Sequence, residues 1–146
     1  MSPSRVSKPL FGDLLALARE GWVREMARRL ARAGFNDYRR SDALALRWLV
    51  HGPLPLATLT TALGVSRQAT RKVVEGLVER GYARVNVDTS DSRRRNADLT
   101  PVGHDYAEAV IEVLAALNSE LTIKVDPGDL DTARFVLTFV KDNFGL

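Results

Sequence analysis

A chain of 146 residues, 45% hydrophobic and 27% charged, is long enough to bury one core and has the composition of an ordinary globular protein. It contains no cysteine, which excludes disulfides, thiolate metal sites and thiol redox switching. The net charge of +3 is unevenly spread: residues 66–95 hold eight Lys/Arg against four acids, residues 96–146 only three against nine, so the middle of the chain suits a polyanion.

Residues 1–9 carry Ser, Pro and charge without periodicity and are expected to form a flexible arm. From Leu10 to about Ala33, Phe11, Leu14, Leu15, Ala18, Trp22, Met26 and Leu30 recur at helical spacing, and Gly34 ends the pattern. Ser41 or Asp42 caps a second helix, which Gly52-Pro53 stops. A short third helix is expected from about Pro55 to Leu63. The turn at Gly64-Val65 is read as a close crossing of two helices with little room for a side chain. Ser66 then caps a fourth helix reaching Arg80, with Ala69, Val73, Val74, Leu77 and Val78 expected to face inward and Gly81 as its stop.

After Gly81 the period changes to two. Ala83, Val85 and Val87 alternate with polar residues as one strand, and Arg95, Ala97 and Leu99 as the returning strand of a hairpin with a basic tip. Thr100-Pro101 starts a long helix with Tyr106, Val110, Val113, Leu114, Leu117 and Leu121 as its stripe, and Asp126-Pro127 opens a last one bearing Leu137, Val140 and Phe144. The expected fold is therefore mainly α with a small β-hairpin wing: a winged helix-turn-helix lobe over 41–100, flanked by an N-terminal helix over 10–40 and C-terminal helices over 101–146, all one domain. The outer helices carry more apolar surface than a small lobe can cover, which points to association with a second copy, a homodimer.

The functional reading rests on the fourth helix and the wing. Ser66, Arg67, Gln68, Arg71 and Lys72 occupy the outward N-terminal half of a recognition helix, where Gln can pair adenine, Arg guanine and Lys phosphate, and where the helix dipole favours anions. In the wing, Asp91 and Arg93 are two residues apart in an extended tip, so the carboxylate can orient the guanidinium for a narrow minor groove, with Arg94 and Arg95 within reach of phosphates. The partner expected is double-stranded DNA.

The run LTTALGVSRQATRKVVEGLVERGY, then DSRRRNADLT and PVG, resembles the MarR family of multiple-antibiotic-resistance-type regulators. Its D-x-R-x5-L-T wing pattern is met by Asp91, Arg93, Leu99 and Thr100. The resemblance covers about residues 40–105. It implies a winged-helix homodimer whose first and last helices interlock between protomers, acting as a transcriptional regulator, commonly a repressor, on a pseudo-palindromic operator. It further implies a pocket for a small aromatic or phenolic effector, for which Trp22, Tyr38, Trp48, His51 and Tyr106 are candidates. Thr70 departs from the bulkier aliphatic residue frequent there, which leaves its burial open.

Rival classes are weak. His51 and His104 are the only histidines and share no metal spacing, the glycines of Gly76 to Gly81 lack the Lys-Ser/Thr of a phosphate-binding loop, and no nucleophile elbow occurs, so neither an enzyme nor a cofactor or metal site is expected. A winged domain used for protein contacts or as an architectural factor is the alternative, disfavoured by the basic, polar recognition helix. No apolar run of about 18 residues and no signal-peptide pattern is found, so a cytoplasmic protein without a membrane partner is expected.

Overall fold

A computed structural model describes residues 7–145, so most of the arm expected over 1–9 lies outside the described residues. The elements follow in the order α1 (Phe11–Arg32), α2 (Asp42–Leu49), β1 (Leu54–Pro55), α3 (Leu56–Leu63), α4 (Arg67–Glu79), β2 (Ala83–Val87), β3 (Arg95–Leu99), α5 (Pro101–Lys124) and α6 (Pro127–Asn143). The fold is thus the mainly helical winged helix-turn-helix that the periodicity indicates. The chain divides into two compact units, residues 1–111 and 112–146, with the boundary inside α5.

The first unit holds the core. Met26 and Leu30 of α1, Ala45, Leu46 and Leu49 of α2, Leu59 of α3, and Val74 and Leu77 of α4 are buried, with Ala97 and Leu99 of β3 and Tyr106 and Val110 of α5. Phe35, Tyr82 and Tyr106 form an aromatic cluster within it: the Tyr82 and Tyr106 rings lie 4.2 Å apart, and the Phe35 ring stacks 5.0 Å from that of Tyr106. Such pairs add to stability beyond their buried area.

The wing is a three-stranded sheet, not a bare hairpin. β3 is central, pairing antiparallel with β2 (Ala83 opposite Leu99, Val87 opposite Arg95) and with the two-residue β1 (Leu54 opposite Ala97). Pro55 ends β1 opposite Asn96, and a proline without an N–H is tolerated on such an edge. Val85 and Val87, the apolar positions of the alternation, are exposed because only the Ala83 end of β2 reaches the core and the ribbon projects beyond it. Val78 is also exposed: the inward stripe of α4 runs through Thr70, Val74 and Leu77, and Val78 lies at its edge.

Two sequence features have different physical causes from those expected. Gly64, which caps α3, adopts φ 66 and ψ 30, the left-handed region that favours glycine, yet a Cβ there would meet nothing within 4 Å. The backbone conformation, rather than close helix packing, sets the residue. Asp42 is no simple cap. It is wholly buried, and its Oδ2 accepts from Arg39 N at 3.0 Å, Arg80 Nη1 at 2.7 Å and Tyr106 Oη at 2.7 Å, while Oδ1 accepts from Arg80 Nη2 at 2.7 Å. Arg80 also donates from Nε to Gly76 O at 3.0 Å and from Nη1 to Asp37 O at 2.9 Å, and Tyr82 Oη donates to Asp37 Oδ1 at 2.7 Å.

In the second unit, α6 opens on Asp126, whose Oδ1 accepts from Gly128 N at 2.8 Å, with Pro127 in the first turn as a helix start requires. None of its seventeen residues is buried.

Candidate nucleic-acid interface

Ser66 sits at the N-cap of α4 with extended backbone, and its Oγ accepts from Ala69 N at 3.1 Å, which satisfies one free amide of the first turn. Thr70 is buried with its hydroxyl donating to Ser66 O at 3.0 Å, so the polar side chain enters the core without an unpaired group. That settles the position left open by the sequence. The helix is thereby fixed with Arg67, Gln68, Arg71 and Lys72 on its exposed side. Arg67 and Arg71 are one turn apart, as are Gln68 and Lys72, giving two adjacent stripes.

The wing tip is closed by its own polar groups. Asp88 N donates to Arg94 O and Arg94 N to Asp91 O, both at 3.0 Å. Asp88 Oδ1 accepts from both the amide and the hydroxyl of Ser90 at 2.7 Å, and these bonds hold its carboxyl below the usual carboxylate range. Asp91 Oδ1 accepts from Arg93 N at 3.0 Å and Arg93 Nε at 3.3 Å, so the carboxylate orients a guanidinium whose side chain is 91% exposed. Arg95 is placed differently: its Nη1 donates to Ser92 O at 3.1 Å and Arg94 O at 3.3 Å, folding the side chain back over the tip.

These parts meet around one cleft of about 450 Å3. Arg67 and Arg71 of α4 form one wall, Arg93, Arg94 and Arg95 of the wing another, and Pro55 with Ala57, Thr58 and Thr60 of α3 the third. No acidic residue lines it. Five arginines line this shared opening, with Asp91 of the wing tip pairing Arg93 and Arg94, and the surplus of positive charge suits a polyanion. Gln68 and Lys72 lie outside this cleft on the neighbouring stripe, and Ser66 acts as the cap. The α3 wall was missed by the sequence reading; its signal is Thr58, a hydroxyl residue at the start of the first helix of the helix-turn-helix.

The effector candidates do not form one group. Trp48 and His51 share a cleft of about 490 Å3 with Arg47 and Ile111, between α2 and α5. Trp22 and Tyr38 are half-buried and do not line it. Tyr106 is fully buried in the aromatic cluster with its hydroxyl held by Asp42, and it does not line the cleft either. Burial raises the Tyr38 phenol, and burial together with the Asp42 carboxylate raises that of Tyr106 strongly. Among the described residues no cluster of three His, Asp or Glu is placed to hold a metal, and no helix is long and apolar enough to cross a membrane.

Residues 37–94, which span the helix-turn-helix and most of the wing, match the MarR family. No curated protein matches the chain at a significant level of sequence similarity. Among solved structures, a probable transcriptional regulator from Pseudomonas aeruginosa superposes with a TM-score of 0.72 at 23% identity, over 90% of this chain and 96% of that one. MepR of S. aureus in complex with DNA gives 0.77 at 16% identity, over 94% and 100%. BpsR of Bordetella bronchiseptica, whose DNA binding is regulated by 6-hydroxynicotinic acid, gives 0.72 at 20% identity, over 97% and 99%. At these identities the likeness establishes the fold. Over residues 37–94 the chain is similar to the MarR family, and its fold is the winged helix-turn-helix of these structures.

Proposed function

We propose that the protein is a sequence-specific DNA-binding transcriptional regulator, a repressor that binds a pseudo-palindromic operator as a homodimer. The observation that carries this reading is the acid-free cleft in which five arginines from the recognition helix and the wing converge. In this reading α4 enters the major groove with Gln68 and Arg71 at base edges, Lys72, Arg94 and the N-terminus of α4 face phosphates, and Arg93 enters the adjoining minor groove. The fold shared with MepR in its DNA complex supports this arrangement.

Release by a small ligand belongs to the same proposal. The α2–α5 cleft places an indole, an imidazole and a guanidinium together, a set suited to a flat aromatic anion, and BpsR of the same fold responds to such a molecule.

Duplex selection from a random pool, followed by binding of the selected duplex across a salt series, tests the reading. A steep fall of affinity with salt and a preference of at least about a thousandfold over scrambled duplex are expected. Equal binding of selected and scrambled duplexes would refute sequence-specific regulation.

A further inference from the structure

The hub at Asp42 joins four parts of the first unit. Its carboxylate begins α2, Arg80 is the C-cap of α4, Tyr106 stands on α5, and Arg39 and Asp37 belong to the connection between α1 and α2. The Arg80 side chain is only 10% exposed, and both arms of its fork engage both oxygens of Asp42. A bidentate pair fixes orientation as well as distance, which a single hydrogen bond or an apolar contact does not.

We propose that Asp42 is a positioning residue for DNA recognition: it pins the C-terminal end of α4 through Arg80, and the Tyr106 hydroxyl is the link by which α5 reaches that pin. This rests on the DNA-binding reading above. Leverage makes the pin matter. Gln68 lies twelve residues before Arg80, about 18 Å along the axis, so a tilt of about 10° at the pin moves the reading end by about 3 Å, a full hydrogen-bond length. The sites facing α5 share this geometry. Tyr106 precedes Ile111 by five residues on α5, about 7.5 Å of rise. Trp48 and His51 stand at the opposite end of α2 from Asp42. The α2–α5 cleft and the Tyr106–Asp42 bond therefore lie between the same two helices, and a molecule that spreads the first strains the second.

The test compares wild type, Tyr106→Phe and Arg80→Lys, with Leu49→Ala as a core variant remote in chemistry from the hub. Each is measured well below its own melting temperature. The readout is the ratio of affinities for the wild type's selected duplex and a scrambled duplex of equal length. A merely structural role lowers melting temperatures and leaves this ratio intact in the folded protein. The expected result is a ratio lowered by about fivefold or more in Tyr106→Phe and Arg80→Lys, with scrambled-duplex affinity and the Leu49→Ala ratio unchanged. If Arg80→Lys fails to fold, Tyr106→Phe decides, since it keeps the ring stack and removes one hydroxyl. A wild-type ratio in Tyr106→Phe, or an equal loss in Leu49→Ala, overturns the proposal and leaves the DNA-binding reading standing. A wild type without sequence preference overturns both.

Discussion

At the scale of single residues, the three wing arginines have different surroundings and should behave differently when removed. Arg93 projects into solvent with only Asp91 holding it, whereas Arg95 braces the loop through two carbonyl oxygens. Arg93→Ala is expected to cost about 1–3 kcal/mol of operator affinity with an unchanged melting temperature, and Asp91→Ala less, because it frees the guanidinium without deleting it. Titration of duplex against each variant, beside a thermal melt, checks both. Alkaline pH offers a second residue-level outcome. Burial first, then the hydrogen bond to Asp37, pushes the Tyr82 phenol up to about 12, and Tyr38 and Tyr106 are raised as well. A raised phenol contributes stability in full below its unfolded value of about 10 and loses that contribution as pH climbs towards the folded value. Phenolate absorbance is therefore expected to rise at higher pH in the folded protein than in denaturant, with stability declining as pH climbs above about 10. A normal titration of Tyr82 or Tyr106 in the folded state would contradict the hub as drawn. How much of this was legible in the sequence follows from distance along the chain. The Asp91–Arg93 pair spans two residues and could be read from spacing. The side-chain partners of Asp42, Arg80 and Tyr106, lie 38 and 64 residues away, and no local pattern announces them.

At the scale of elements, periodicity identified all six helices because each buries a stripe or has a cap, and capping residues such as Ser66 and Asp126 do what their positions suggest. It failed where burial and alternation part company. Val85 and Val87 alternate as a half-buried strand should, yet the ribbon leaves the core after Ala83, and how far a ribbon projects is a tertiary fact. The two-residue β1 is too short to carry any period at all. Glycines divide in the same way. Gly64 is constrained by its backbone alone, so Gly64→Ala is expected to cost about 1–2 kcal/mol, the strain of a left-handed L-residue. Gly103 on α5 has an ordinary helical backbone, but a Cβ there would lie 1.8 Å from Tyr82 O, where β2 is entered. The obstacle is backbone, so Gly103→Ala must push α5 from the sheet and is expected to cost about 3 kcal/mol or more. Chemical denaturation of the two variants should rank them in that order; the reverse ranking would show that the α5–β2 contact is slack.

At the scale of the whole molecule, the question is what covers the apolar side chains that each unit leaves in water. On α1, Phe11, Leu14 and Leu17 are each more than half exposed. On α6 no residue is buried at all: Phe135 is 72% exposed, and Phe144 at its C-cap is 64% exposed. A seventeen-residue helix gains little from propensity alone, since isolated helices of that length are marginal in water and most helical stability in proteins comes from packing an apolar face. Apolar surface left exposed forgoes about 25 cal/mol per Å2, which a second copy of the chain would recover by burial. The proposed dimer follows from that deficit, and DNA recognition depends on it, since two recognition helices related by a two-fold axis reach half-sites about one helical turn apart. Sedimentation of the full chain is expected to give twice the 16.1 kDa chain mass at micromolar concentration. Truncation after Val125 removes α6 entirely. It should yield a monomer that keeps the near-ultraviolet signature of the Phe35, Tyr82 and Tyr106 cluster, since those residues belong to the first unit, but that has lost tight operator binding. A full-length monomer that binds a palindromic duplex as tightly as the selected site requires would show that the exposed faces of α1 and α6 serve some other partner, and that one recognition helix with its wing supplies the affinity alone.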